Sequence, residues 1–124
     1  MDNQLTDRID ELARQARADR DDVAGRIDSV PDESLAMEYL RTGAGKAVWI
    51  YIEARTGGRR YAFSTTEFER LERAMNDWLE CYARCYGVAL EADFSIRTAA
   101  EALIETRNVR DMAETLTTVP RAEH

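Results

Sequence analysis

The residues of this chain best suited to metal chemistry are two cysteines. Cys81 and Cys85 are four apart, a spacing that places both side chains on one face of a helix. Two thiolates could form half of a zinc site, and two such helices in a dimer could supply four. The sole histidine, His124, is the terminal residue. Both cysteines fall on the apolar arc of a predicted helix, where a free cysteine behaves as a small hydrophobe, so burial is favoured and no metal site is predicted.

A glycine-rich stretch, Gly43-Ala-Gly45-Lys46, has the composition of a phosphate-binding loop. Such a loop requires the pattern GxxxxGK followed by Ser or Thr, placed after a strand and before a helix. Here the spacing is shorter, Ala47 stands where the hydroxyl residue would be, and the predicted strand follows the stretch. We interpret it as the end of a helix and a loop, and predict no cofactor site.

Hydroxyl and carboxyl groups lack the neighbours that catalysis requires. No histidine is available to activate Ser64, which is interpreted as a helix cap. Glu101 and Glu105 are four apart and are assigned to a solvated helix edge. No catalytic residue is predicted, and the protein is expected not to be an enzyme. An enzyme that uses only arginine, tyrosine and carboxylates is the open alternative.

Positive charge gathers around one predicted turn. The candidate contacts to an anion or to DNA are Arg41, Lys46, Arg55, Arg59 and Arg60. In the predicted strand register Arg55 faces Arg60, and like charges directly opposite one another are unfavourable, so a DNA phosphate would relieve them. The alternative, a solvated turn whose arginines pair with nearby acids, is favoured because arginine is the basic residue of this chain, with 16 Arg and 1 Lys.

The elements that would hold these residues are best defined between positions 47 and 87. The runs AVWIYIEA and RRYAF predict two strands joined at Gly57-Gly58, a pair that suits a type I′ turn. A long helix over 65–86 follows, capped by Ser64 with Glu67 and ended at Gly87. The predicted fold class is α+β, mostly helical: about five helices with one antiparallel β-hairpin (residues 47–63) and a long core or dimer helix (65–86).

The remaining segments are predicted to be helical. Leu5, Ile9, Leu12 and Ala16 form a stripe in a helix over 3–17, and a short helix covers 20–28. A helix over about 31–42 ends at Gly43, and two more begin near Ser95 and Asn108. With no repeat or linker, the chain is predicted to be a single domain, 1–124, with an ordered core over 3–117 and a frayed tail over 118–124.

Four aromatic residues are candidates for an interface. Trp49 and Tyr51 lie on the outer face of the predicted hairpin, and Trp78 and Tyr82 lie on the wide apolar arc of helix 65–86. A two-stranded hairpin requires cover on at least one face, and Trp and Tyr are enriched in interfaces. We therefore predict a homodimer. Cover from elsewhere in the same chain is an equally open alternative.

The charge balance narrows the classes of partner. The formal net charge is −7 at pH 7, which disfavours generic nucleic-acid affinity because such affinity depends on basic groups that neutralise phosphates. No stretch approaches the roughly 18 apolar residues of a membrane span. The N-terminus is acidic and lacks the apolar segment of a signal peptide, so a cytoplasmic location is expected.

The order of predicted elements, three helices, a hairpin and a long helix, resembles a winged helix-turn-helix domain over about residues 3–86. DDVAGRID stands at the second helix, PDESLAMEYLRTG at the recognition helix and AVWIYIEARTGGRRYAF at the wing. The resemblance implies a DNA-binding transcription regulator. The would-be recognition helix, however, carries Asp32, Glu33 and Glu38 against only Arg41, whereas base edges are usually contacted by Arg, Lys, Asn or Gln. The favoured function is therefore a non-catalytic oligomeric interaction or assembly module with an unidentified protein partner.

Overall fold

Six α-helices make up most of the described chain. The computed structural model describes residues 3–24, 32–56 and 62–119. The helices are α1 (Asn3–Ala24), α2 (Glu33–Tyr39), α3 (Gly45–Thr56), α4 (Thr65–Arg84), α5 (Ile96–Thr106) and α6 (Val109–Thr117). A π-helical turn, Leu40–Ala44, joins α2 to α3 without a break. The fold of these residues is therefore all-helical.

The predicted β-hairpin over 47–63 is wrong, and with it the α+β fold class. Residues 47–56 belong to α3, and no strand occurs in the three described ranges. The predicted turn at Gly57-Gly58 lies outside the described residues. Val48, Ile50, Tyr51 and Ile52 are all buried, so their side chains surround the helix rather than alternate between two faces of a sheet. A short apolar run of this kind is compatible with either a buried strand or a buried helix.

Helix α4 is the centre of the fold, and its predicted start is confirmed. The Ser64 hydroxyl accepts from the Glu67 N–H at 3.1 Å, and the Glu67 carboxylate accepts from the Ser64 N–H at 3.0 Å. Gly87 follows the helix with a φ of +78°, as predicted for a residue past the end. Helices α1, α2, α3 and α6 and the π-helical turn all contact α4.

Helix α1 lies along α4 and is one continuous helix. The separate short helix predicted over 20–28 is wrong up to Ala24, where α1 runs unbroken, and residues 25–28 lie outside the described residues. Ile9 and Ala16 of the predicted apolar stripe are buried, and Val23 further along α1 is buried as well. Between Ala16 and Val23, the Asp19 carboxylate accepts from the Trp78 Nε1–H at 2.9 Å.

The π-helical turn fits tightly against Trp78. Gly43 was predicted to end a helix, but it lies inside one. A Cβ atom at this position would lie 2.5 Å from Cδ2 of the Trp78 ring, closer than side-chain contacts allow. A glycine is therefore needed here for space, since the wide turn brings its backbone directly onto the indole.

Between Gly87 and α5, the segment 88–95, here called the strap, runs beside α4 without forming a strand or helix. Three side chains of α4, each four residues from the next, accept alternate backbone N–H groups of the strap and of the first residue of α5: Glu80 from Ala92 at 2.9 Å, Asn76 from Phe94 at 2.9 Å, and Glu72 from Ile96 at 2.8 Å. The acceptors are four residues apart on a helix, which is a rise of about 6.0 Å, and the donors are two residues apart in an extended segment, which is a rise of about 6.6 Å. Because these two distances are similar, each acceptor lies opposite a donor.

Candidate functional site

Three of the residues singled out in the sequence meet on one surface. Arg41, Lys46 and Trp49 line a groove of about 760 Å³ between α3 and α5. We call it the Trp49 groove. Its remaining lining residues are Thr42, Gly45, Leu103, Ile104, Arg107 and Val109.

At the base of the groove, Gly45 of α3 lies in close contact with the apolar side chain of Val109 at the start of α6. A Cβ atom at Gly45 would lie 2.7 Å from the Leu40 carbonyl oxygen and 2.8 Å from Cγ1 of Val109. The backbone of α3 therefore sits directly against α6 at this point. Arg107 caps the C-terminal end of α5 in the left-handed conformation, with φ of 57°, and its side chain lines the groove.

The groove exposes an unusual amount of apolar surface. Trp49 is 51% exposed and Ile104 is 57% exposed. Within the described ranges the large hydrophobic residues that are exposed are these two and Val88, which lies elsewhere. A clustered pair of exposed large side chains is a feature of interaction sites, whereas single exposed hydrophobics are ordinary.

The charged residues around the groove are all cationic. Arg41, Lys46 and Arg107 line it, and no carboxylate belongs to its described lining. None of these three side chains forms an ion pair with another residue in the described parts of the chain. In a chain of net charge −7, this is a local region of positive potential beside an apolar surface.

The other three predicted interface aromatics are inside the protein. Tyr51 packs edge-on against Phe68, and its ring also lies beneath the Arg55 guanidinium at 5.6 Å. Trp78 is 2% exposed, and the fully buried Tyr82 donates its hydroxyl to the Val119 carbonyl. Trp78 and Tyr82 on the wide apolar arc of α4 are thus covered by other parts of the same chain.

The predicted basic cluster is only partly brought together. Arg41 and Lys46 share the Trp49 groove, while Arg55 lies over Tyr51 near the other end of α3. Arg59 and Arg60 lie outside the described residues. The helix end and loop predicted for residues 43–46 are wrong, because this stretch is helical throughout.

The two cysteines are reduced thiols in the core. Cys81 and Cys85 are both buried. Burial raises the pKa of the Cys81 thiol, and the carboxylates of Asp19 and Asp77 raise it further. The described residues contain no group of three His, Cys, Asp or Glu side chains placed to hold a metal ion.

Sequence reasoning missed half of the groove. Leu103, Ile104, Arg107 and Val109 are not among the site residues predicted from the sequence. Leu103 is buried, but Ile104 faces outward beside Trp49. Their contribution depends on α5 lying against α3, and no local spacing indicates that contact.

Comparison with known families gives one match. Residues 3–121 match the family described as Domain of unknown function (DUF8055). The chain belongs to this family. No curated protein and no solved structure matches the chain.

The DUF8055 match spans all six helices, so the Trp49 groove lies within the family domain. Among the helices of this DUF8055 chain that the structure describes, none is long and apolar enough to cross a membrane.

Proposed function

We propose that this protein is a non-catalytic interaction module that binds an acidic, amphipathic helix of a partner protein in the Trp49 groove. The observation that carries the proposal is the pairing of Trp49 and Ile104, both more than half exposed, within a groove whose charged lining residues are all cationic.

The apolar part of the groove supports a protein ligand. Water contact with the Trp49 and Ile104 side chains is unfavourable, and a partner that covers them gains the corresponding hydrophobic free energy. Tryptophan is also among the residues whose loss most weakens protein interfaces. Apolar side chains of the partner would lie against Leu103, Ile104 and the Trp49 ring.

The three cationic lining residues of the groove, here called the rim, favour an acidic ligand. Arg41, Lys46 and Arg107 have no acidic partner in the described lining, so carboxylates of a bound segment would meet complementary charge. A second copy of this chain is disfavoured as the occupant for a different reason: two chains that each carry a net charge of −7 repel one another.

A helix is the form of ligand that suits this surface. The groove lies between two packed helices, and an amphipathic helix presents apolar side chains at intervals of three and four residues along one face. Its opposite face can carry the acids that reach the rim.

We do not propose the winged-helix alternative or the predicted homodimer through α4. A winged-helix regulator requires a wing, but residues 47–56 form part of α3. A homodimer through α4 would use Trp78 and Tyr82, which are buried within the monomer. A dimer that covers Trp49 is still a competing arrangement, and it is an explicit outcome of the test below.

The test is selection from a displayed library of amphipathic helices about 14 residues long, a length at which helices in water become marginally stable. Half of the library carries Glu and Asp on the polar face, and half carries Lys and Arg. We expect selection on the wild-type protein to enrich acidic helices. In fluorescence anisotropy, Trp49→Ala and Ile104→Ala should each weaken the selected helices about tenfold or more, as expected for interface hot spots.

Val88→Ala is the matched control, because Val88 is exposed but does not line the groove. It should leave binding unchanged. The proposal would be overturned by enrichment of basic helices, by binding that survives both groove variants, or by equal loss in the control. It would also fail if light scattering gave twice the 14.2 kDa chain mass for the wild type and a single chain mass for Trp49→Ala, since a second copy would then occupy the groove.

A further inference from the structure

A second charged surface, the arginine cleft, lies between α1 and α4 and shares no lining residue with the Trp49 groove. Its volume is about 670 Å³. Five arginines line it: Arg14, Arg17 and Arg20 from α1, and Arg70 and Arg73 from α4. The acids in its lining are Asp10, Glu69 and Asp77, so the cleft has an excess of positive charge in an acidic protein.

Three of the arginines are already paired across or along the helices. Arg70 bonds Asp10, and Arg73 holds Asp77 with two hydrogen bonds of 3.0 and 2.9 Å. Arg20 forms an ion pair with Glu80 at 2.7 Å. The contacts of Arg70 with Asp10 and of Arg20 with Glu80 join α1 to α4, and the contact of Arg73 with Asp77 lies within α4.

The remaining two of the five arginines that line the cleft are Arg14 and Arg17. Both are exposed, and neither forms an ion pair or a side-chain hydrogen bond with another residue in the ranges that the structure describes. They are three residues apart on one helix face, so their guanidinium groups can reach the same ligand. Guanidinium groups bind phosphate oxygens with two parallel hydrogen bonds.

The rest of the lining restricts the class of anion. No aromatic side chain belongs to the described lining, and Ala13 is its one apolar residue. A nucleic-acid strand is normally held through stacking of its bases on aromatic rings, which this cleft does not provide. The Thr66 hydroxyl adds a hydrogen-bond donor beside the arginines.

We infer that the arginine cleft binds an oligophosphate, a short chain of linked phosphates, through Arg14 and Arg17. The ligand would be either an inorganic oligophosphate or the phosphate chain of a nucleotide. The arginines would bind the charged phosphate oxygens, and the described lining offers no aromatic surface on which a base could stack.

The test is calorimetric titration of the full chain with inorganic tripolyphosphate and, separately, with ATP at low ionic strength. We expect saturable binding that weakens with added salt. The double variant Arg14→Gln, Arg17→Gln should weaken binding about tenfold or more, as loss of charge-assisted hydrogen bonds implies. Similar affinities for tripolyphosphate and ATP are expected, since the phosphate chain alone is recognised.

The matched control is Arg8→Gln with Arg97→Gln, which removes two exposed arginines outside the cleft and changes the net charge equally. It should leave the affinity unchanged. Equal weakening by both doubles would show unspecific charge attraction and overturn the inference, as would the absence of saturable binding by the wild type. Much tighter binding of ATP than of tripolyphosphate, or of single-stranded oligothymidylate that the cleft double loses, would assign the cleft to nucleoside or nucleic-acid recognition instead.

Discussion

At the scale of single residues, two glycines are required for different physical reasons. Gly43 is required for space, because its backbone lies against the Trp78 ring. Gly87 is required for conformation, because its φ is +78° while nothing lies within 4 Å of the position a Cβ atom would occupy.

Because the two glycines are required for different reasons, replacing each by alanine should lower the free energy of unfolding by different amounts. Gly43→Ala should destabilise the protein by about 1–3 kcal/mol or more, the usual cost of overpacking a core. Gly87→Ala is the matched control and should cost about 1 kcal/mol, the penalty for a left-handed residue with a Cβ atom. Urea denaturation measures both. A smaller loss for Gly43→Ala than for Gly87→Ala would contradict the close contact with Trp78.

We expect a loss of stability at alkaline pH because the Cys81 thiol and the Tyr82 hydroxyl are buried and their pKa values are raised. Burial raises the pKa of both above their ordinary values of 9.0 and 10.0. Both groups are neutral when protonated, so the folded state retains protons that the unfolded chain releases. Stability is therefore full below about pH 9 and falls as pH rises further, by up to about 1.4 kcal/mol per pH unit for each group.

Urea denaturation between pH 7 and pH 11 checks this expectation. In Cys81→Ala the decline should begin nearer pH 10, where the Tyr82 phenol of the unfolded chain titrates. A free energy of unfolding that stays constant from pH 8 to pH 11 would show that neither group is protected from ionisation by the fold.

At the scale of elements, what the sequence could predict depended on whether the signal was local. The cap of α4 was predicted correctly because Ser64 and Glu67 bond each other's backbone within the first turn of the helix, so the signal lies in residues three apart. The β-hairpin was predicted wrongly because the Val48–Ile52 run is rich in β-branched and aromatic residues, which favour strands. Helix α3 is buried on most sides, so it shows no apolar stripe by which a helix is recognised.

The same distinction applies to the candidate site. Arg41 and Lys46 were singled out as basic candidates for anion contacts, and Trp49 as an aromatic on the outer face of the predicted hairpin. Ile104 and Arg107 join them only through the contact between α3 and α5, which requires knowledge of the tertiary structure. Arg14 and Arg17 were not singled out at all, since arginine is common in this chain and their significance depends on α4 lying opposite.

The capping box of α4 gives a prediction at this scale. Ser64→Ala should lower the free energy of unfolding by about 1 kcal/mol through loss of the N-cap hydrogen bond. Thr65→Ala, one residue later and exposed, serves as the control and should change stability little. Equal effects of the two substitutions in thermal denaturation would indicate that the cap contributes no specific stabilisation.

At the scale of the whole molecule, α4 connects parts of the chain that are distant in sequence. It holds α1 through buried side chains and the bond from Trp78 to Asp19, and it holds the strap through three polar side chains. Because each partner depends on the same helix, we expect the described helices to unfold as one cooperative unit.

Trp78 provides a probe of that cooperativity. In Trp49→Phe the buried Trp78 is the remaining tryptophan, and its fluorescence reports the contact between α1 and α4. The fluorescence and far-ultraviolet circular dichroism transitions should coincide in urea. A fluorescence change at lower urea concentration would show that α1 leaves α4 before the other helices unfold.

The strap has a consequence for amide hydrogen exchange. The N–H groups of Ala92 and Phe94 in the strap, and of Ile96 directly after it, donate to side chains of α4, whereas those of Glu91 and Asp93 have no such acceptor among the described residues. Nuclear magnetic resonance should therefore detect slow and fast exchange at alternate residues, a pattern normally produced by an edge strand of a sheet. In Asn76→Ala the protection at Phe94 should be lost first. Uniformly fast exchange from residue 91 to 96 in the wild type would mean that the strap opens independently of α4.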